Sequence, residues 1–142
     1  MRALLVRTVG LALVTLLASC GDDDSFSPTV ENVAGPYAAS LFTLTTAAGT
    51  TDLLGLGSSV TVTLAPDGTT SGHLFVPGGA EEGGDLDAEL TGTWTLNGKI
   101  VTFNQTADTF IRDVEFTASR NRLTAEGTFN EQTIRLVLIK TD

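Results

Sequence analysis

Residues that do chemistry are scarce in this sequence. Its 142 residues include one cysteine, one histidine, one tryptophan and one tyrosine. A single cysteine excludes an intrachain disulfide framework, and a single histidine beside it excludes the common zinc sites. Cationic residues are few as well: eight Lys and Arg against 17 Asp and Glu give a formal net charge of -9. That balance excludes the usual electrostatic route to nucleic acid, which needs a basic face to displace counterions. No apolar run reaches the roughly 20 residues that a helix needs to span a ~30 Å hydrocarbon core. What remains is a hydrophobic content of 42%, ordinary for a folded domain and too high for disorder. The length allows one domain of common size.

The first twenty residues read as an address. Arg2 and Arg7 give a positive start, residues 9–17 form a short apolar run, and Leu17-Ala18-Ser19-Cys20 closes it. This three-part pattern fits a secretory signal. The closing tetrad resembles the lipobox of bacterial lipoproteins. The chemistry suits the residue types, because a thiol readily forms the thioether to a diacylglyceryl group and small residues let a peptidase approach the backbone. The resemblance implies that Cys20 is the lipidated mature N-terminus, and two or more acyl chains there anchor a protein stably. Gly21 follows Cys20 where an Asp favours inner-membrane retention in such lipoproteins, so the outer membrane is expected. The domain would face the periplasm, with the cell surface as the alternative. Asp22, Asp23 and Asp24 follow, read as a solvated spacer or as a mark of surface export. Residues 21–34 carry no periodic apolar pattern and are read as a tether. The expected organisation is therefore a signal peptide over 1–19, the lipidated Cys20 and an acidic tether over 20–34, and one domain over 35–142.

From residue 35 onward the pattern has period two, punctuated by turns at intervals typical of an all-β barrel or sandwich. Residues 41–46 make a first strand, 49–57 a loose loop, and 59–64 a strand with Val60, Val62 and Leu64 on one face. Ala65-Pro66-Asp67-Gly68 supplies a hairpin turn that pairs Leu64 with Thr70. In that register Gly72, Leu74 and Val76 face inward, while His73 and Phe75 face out. Residues 85–96 read as one long strand, with Leu86, Ala88, Leu90, Gly92, Trp94 and Leu96 inside and three carboxylates outside, so a one-residue slip is forbidden. Asn97-Gly98 is a favoured hairpin turn. It leads to Val101 and Phe103 on the inner face. Strands over 110–118, 123–129 and 133–140 complete the set. Ile134, Leu136 and Leu138 share a face in the last of them. The expected fold is all-β: about eight antiparallel strands in an up-and-down meander, closing into a barrel that is either filled or holds one small ligand.

The segments Val62-Thr63-Leu64-Ala65-Pro66-Asp67-Gly68-Thr69 and Gly92-Thr93-Trp94-Thr95-Leu96-Asn97-Gly98 resemble the signatures of small bacterial lipocalin-like domain proteins. Val101-Thr102-Phe103, Asn121-Arg122-Leu123-Thr124 and the opening Gly35-Pro36-Tyr37 resemble them too. The resemblance implies a calycin-type β-barrel on an envelope lipoprotein. The chain departs from true lipocalins in lacking a Trp in its opening turn, a Thr-Asp-Tyr-type motif and a C-terminal helix; it is also short, so any cavity should be small.

Two readings of the interior stay open. Gly72, Gly92 and Gly127 stand mid-strand on inward positions, where glycine marks a bend, a bulge or the close approach of a backbone or ligand. On one reading they let the sheet coil. On the other, with Ala88 and Ala125, they leave space for a small hydrophobic ligand, and Gly92, Trp94, Phe103, Gly127 and Phe129 are its candidate contacts. Glu81, Glu82, Asp85, Asp87 and Glu89 read as a solvated face or a weak calcium site, since alternate strand positions sit ~6.6–7 Å apart. His73 reads as an ordinary exposed residue with Ser71 on its face, so no nucleophile, base and orienting group come together. Phe75, Ile100 and Ile139 on outer faces are a candidate patch for an envelope protein partner. The sequence thus predicts a non-enzymatic lipoprotein without cofactor, metal or nucleic-acid partner, acting either as a carrier of a small hydrophobic molecule or as an interaction module with a filled barrel.

Overall fold

The computed structural model describes residues 26–141. Residues 1–25, with the signal segment and Cys20, lie outside the described residues. Ten strand segments run in chain order: β1 (Gly35–Thr46), β2 (Gly49–Asp52), β3 (Ser59–Leu64), β4 (Thr69–Val76), β5 (Leu86–Glu89), β6 (Gly92–Asn97), β7 (Ile100–Gln105), β8 (Phe116–Ser119), β9 (Arg122–Phe129) and β10 (Gln132–Lys140). Two four-residue helices, α1 (Val30–Val33) and α2 (Phe110–Asp113), and a 3-10 turn at Leu54–Leu56 complete the described elements.

Every pairing is antiparallel, and neighbours in sequence are mostly neighbours in space. β5 and β6 lie along the same strand, β4, and form one stave. With that stave, β1, β3, β4, β7, β8, β9 and β10 make an eight-stranded barrel. It closes where β1 pairs with β10, from Tyr37 opposite Lys140 to Thr45 opposite Thr133. Closure removes the unpaired edges that would otherwise recruit other chains. The fold is the closed all-β meander that the alternation pattern implied.

Alternation decides which side chains enter the core. In β3, Val60, Val62 and Leu64 are buried while Ser59, Thr61 and Thr63 are exposed. The Ala65–Gly68 turn sets Leu64 opposite Thr70, in the expected register. Gly68 has φ +92°, the left-handed position that the turn needs. Phe42, Phe116, Leu123, Leu136 and Leu138 join the core from the other staves, each at 2% exposure or less.

Six details differ from the sequence-based expectation. The first strand begins at Gly35, and the expected loop over 49–57 opens with β2, which folds back on β1; Thr45 and Thr50 hydroxyls lie 2.8 Å apart across this pair. The stave over 85–96 is interrupted at Leu90-Thr91, although Leu90 N–H still donates to Gly72 O (2.9 Å) and the inner and outer faces are unchanged. The turn after β6 is centred on Gly98-Lys99, because Gly98 takes φ +62° at the first of two loop positions and sets Asn97 opposite Ile100. A positive φ there suits the hairpin twist.

The last two differences are helical. Residues 110–113, expected to be extended, form α2 instead. Phe110, Ile111 and Val114 carry adjacent and four-apart apolar positions that a strand cannot place on one side. As a helical turn they all meet the core, where Ile111 is 1% exposed and Phe110 stacks on Phe42 with centroids 5.5 Å apart. Residues 30–34, read as the end of a tether, form α1 and dock on the barrel. Thr29 caps the helix in a capping box with Asn32 (Asn32 N–H to Thr29 Oγ1 3.2 Å, Thr29 N–H to Asn32 Oδ1 2.7 Å). Val33 is 1% exposed, and Tyr37 donates its hydroxyl to Val33 O at 2.6 Å.

Candidate functional site

Of the five residues expected around an interior ligand, Gly92, Trp94 and Phe103 lie on β6 and β7, and Gly127 and Phe129 on β9. Trp94 and Phe103 are direct cross-strand partners on β6 and β7, both buried. The Trp94 indole Nε1–H donates to Ala65 O (2.8 Å), tying the ring to the β3–β4 turn. Phe103 meets Phe116 edge to face, centroids 5.1 Å apart at 85°, the arrangement that ring quadrupoles favour. Gly127 and Phe129 lie on β9, and Phe129 is its last residue, at the barrel end opposite the Ala65 turn.

The glycines mark close approach. A Cβ on Gly92 would stand 2.2 Å from Asn104 O and 2.6 Å from Gln105 Cα. On Gly72 it would stand 2.1 Å from Thr61 O, and on Gly127 2.6 Å from Val114 Cγ1 and 3.0 Å from the Phe129 ring. At each position the space that a side chain would need belongs to a neighbouring strand's backbone or to a packed apolar group.

One interior feature escaped the sequence reading. Gln105 continues the inner face of Val101 and Phe103 and is 3% exposed. Its amide donates to Leu90 O at 3.5 Å, the carbonyl that also accepts from Thr70 Oγ1 at 3.0 Å. Its own Oε1 has no partner among the described residues. Period two marks Gln105 as inward, and the β6–β7 register, with Gly92 opposite Gln105, brings it to Leu90.

Open cavities among the described residues include two on the outside. One, about 390 Å³, is lined by Phe26, Lys99, Ala118, Ser119, Arg120 and Arg122 at the barrel end holding the β6–β7 and β8–β9 turns. The other, about 430 Å³, runs over β1, β2, β9 and β10, with Thr43, Thr45, Thr50 and Thr133 between Glu126 and Arg135. Trp94, Phe103, Gly92, Gly127 and Phe129 line neither.

Several polar groups elsewhere are engaged locally, while the buried Ser58 and Thr109 hydroxyls have no partner among the described residues. His73 contacts Asp87 from the neighbouring strand through Nε2, a pair that outward positions alone did not reveal. Asp85 Oδ1 accepts Gly78 N–H at 2.9 Å. Among the described residues no three His, Cys, Asp or Glu side chains come close enough to hold a metal ion. The Thr69 hydroxyl (2.7 Å) and amide (3.0 Å) hold the Asp67 carboxyl below its usual range. Burial pushes the Tyr37 phenol up to about 12.

No protein-family model, curated protein or solved structure matches this chain.

Proposed function

We propose that the chain is a lipid-anchored envelope lipoprotein whose barrel is a filled, non-catalytic scaffold that acts through its outer surface and loops. The observation that carries this reading is the packed interior. Trp94, Phe103 and Phe116 are each at most 4% exposed, and a Cβ added at Gly72 or Gly92 would meet a neighbouring strand's backbone, one at Gly127 the Val114 and Phe129 side chains. Protein interiors packed at this closeness leave no room for a second molecule without repacking. The anchor, the outer membrane and the periplasmic face rest on the resemblance of Leu17-Ala18-Ser19-Cys20 to a lipobox.

The competing reading, carriage of a small hydrophobic molecule, shares the barrel but requires interior volume. Native mass spectrometry of the domain from Ser25 onward, purified from a bacterial periplasm, separates the two. A bare mass, with Trp94 fluorescence unmoved by apolar probes, is the expected result. A retained mass of a few hundred daltons, lost in organic solvent, would replace the filled scaffold with a carrier.

A further inference from the structure

The barrel end next to residue 26 is basic in an acidic protein. Lys99 sits in the β6–β7 turn, Arg120 in the β8–β9 turn and Arg122 at the start of β9, and all three line the cavity of about 390 Å³. The Arg120 guanidinium lies over the Phe26 ring, 5.9 Å from its centroid. Lys140 reaches the same end, where its Nζ donates to Asn32 O at 2.8 Å. Four of the six Lys and Arg among the described residues therefore gather at one end. Lys99, Arg120 and Arg122 make no ion pair with a described carboxylate. Glu31 and Asp67 are the described carboxylates at this end, and Asp67 is already engaged by Thr69. Glu81, Glu82, Asp85, Asp108, Asp113 and Glu131 occupy the opposite end, on the β4–β5 loop, around α2 and in the β9–β10 turn.

We propose that this cavity binds the phosphate of an anionic lipid headgroup and seats the barrel, basic end down, on the membrane that anchors it. The chemistry fits: arginine forks match phosphate oxygens in pairs, lysine adds a point charge, and the Phe26 ring offers an apolar wall to the glycerol. Position fits as well. Phe26 stands six residues after Cys20, and six residues of extended chain span at most roughly 20 Å. The net charge of -9 does not cancel the attraction. An eight-residue strand rises about 26 Å, whereas fields at physiological salt decay over about 8 Å, so the far carboxylates are screened. Only the orientation rests on the anchor reading; the phosphate site stands on the cavity.

The test uses the chain beginning at Gly21, which holds every residue of the barrel and lacks the lipidated position. Co-sedimentation with phosphatidylcholine vesicles, with and without phosphatidylglycerol, should show binding only to the anionic vesicles and loss of it at high salt. Each cation near an anionic surface contributes roughly fivefold in affinity, so Lys99→Gln, Arg120→Gln and Arg122→Gln together should weaken binding on the order of 100-fold. All three side chains are exposed, so the variant should keep its circular dichroism. Equal binding to both vesicles, or an unaffected triple variant, would overturn the proposal. So would saturation by inorganic phosphate without vesicle binding, which would make the ligand free phosphate. Binding that appears only after Asp22→Asn, Asp23→Asn and Asp24→Asn would assign the cavity to the chain's own acidic run and also overturn it. Mass analysis of Cys20 in the full chain from bacterial membranes tests the anchor separately. An unmodified Cys20 with anionic binding intact would remove the anchor and leave the site.

Discussion

Gly92 shows how one missing side chain shapes the barrel. The adjacent strand's backbone occupies the volume that a Cβ would need. Gly92→Ala should therefore destabilise the domain by about 1–3 kcal/mol, the range for forced overpacking, as read from urea midpoints. Gly98 makes the contrast, since nothing stands within 4 Å of its Cβ position and only its φ of +62° resists substitution. Gly98→Ala should cost about 1 kcal/mol. A ligand-contact role for Gly92 would instead leave stability unchanged and alter binding.

Tyr37 makes a pH prediction at the same scale. Burial raises its phenol to about 12 from an ordinary 10.0, so the folded state holds the proton more tightly than the unfolded chain. The stabilisation is complete below pH 10 and is lost as pH rises toward 12. Tyr37→Phe should remove this alkaline loss, measurable as thermal midpoints across that window. Asp67 has the opposite sign. Its lowered carboxyl stabilises the turn above the ordinary carboxylate range, and that contribution is lost as pH falls through the lowered value.

Among elements, α1 and α2 carry the instructive departures. A four-residue helix has no stability of its own, so each exists because of what it buries. Val33→Ala should cost about 2 kcal/mol for the two methyl groups lost from a fully buried site. Thr29→Ala should cost about 1 kcal/mol through the cap. If chemical denaturation shows neither loss, residues 30–34 are a free tether and their docking is wrong. The β3–β4 hairpin was legible residue by residue, because strict alternation and a Pro-Asp-Gly turn leave one register. Residues 110–113 were not legible, because Phe110-Ile111 reads as part of an apolar strand until Phe42 is known to stand opposite. The shifted turn at Gly98-Lys99 was half legible: a displacement that keeps the pleat parity leaves each side chain on its expected face.

For the whole molecule, closure couples distant segments. β1 and β10 are the first and last strands of the barrel, and their pairing spans the sheet. Unfolding should accordingly be a single transition, with Trp94 fluorescence and far-ultraviolet circular dichroism giving coincident urea curves. Separate midpoints would mean that the β6–β7 region opens independently of the seam. The alternating up-and-down path also separates charge, carrying Lys99, Arg120, Arg122 and Lys140 to one end and most loop carboxylates to the other.

The sequence by itself determined the strand faces, the antiparallel order and the class of fold, because a two-residue period and local turn chemistry act over a few residues at a time. It also marked Trp94, Phe103 and the inward glycines as belonging inside. Only the tertiary structure decided what stands between them. Gly72 and Gly92 admit the backbones of their own hairpin partners, whereas Gly127 meets Val114, which the chain brings in from the end of α2. The up-and-down path gathered four cations, from residue 99 to residue 140, at one end, and the folded chain brought Lys99, Arg120 and Arg122 around one cavity with Phe26.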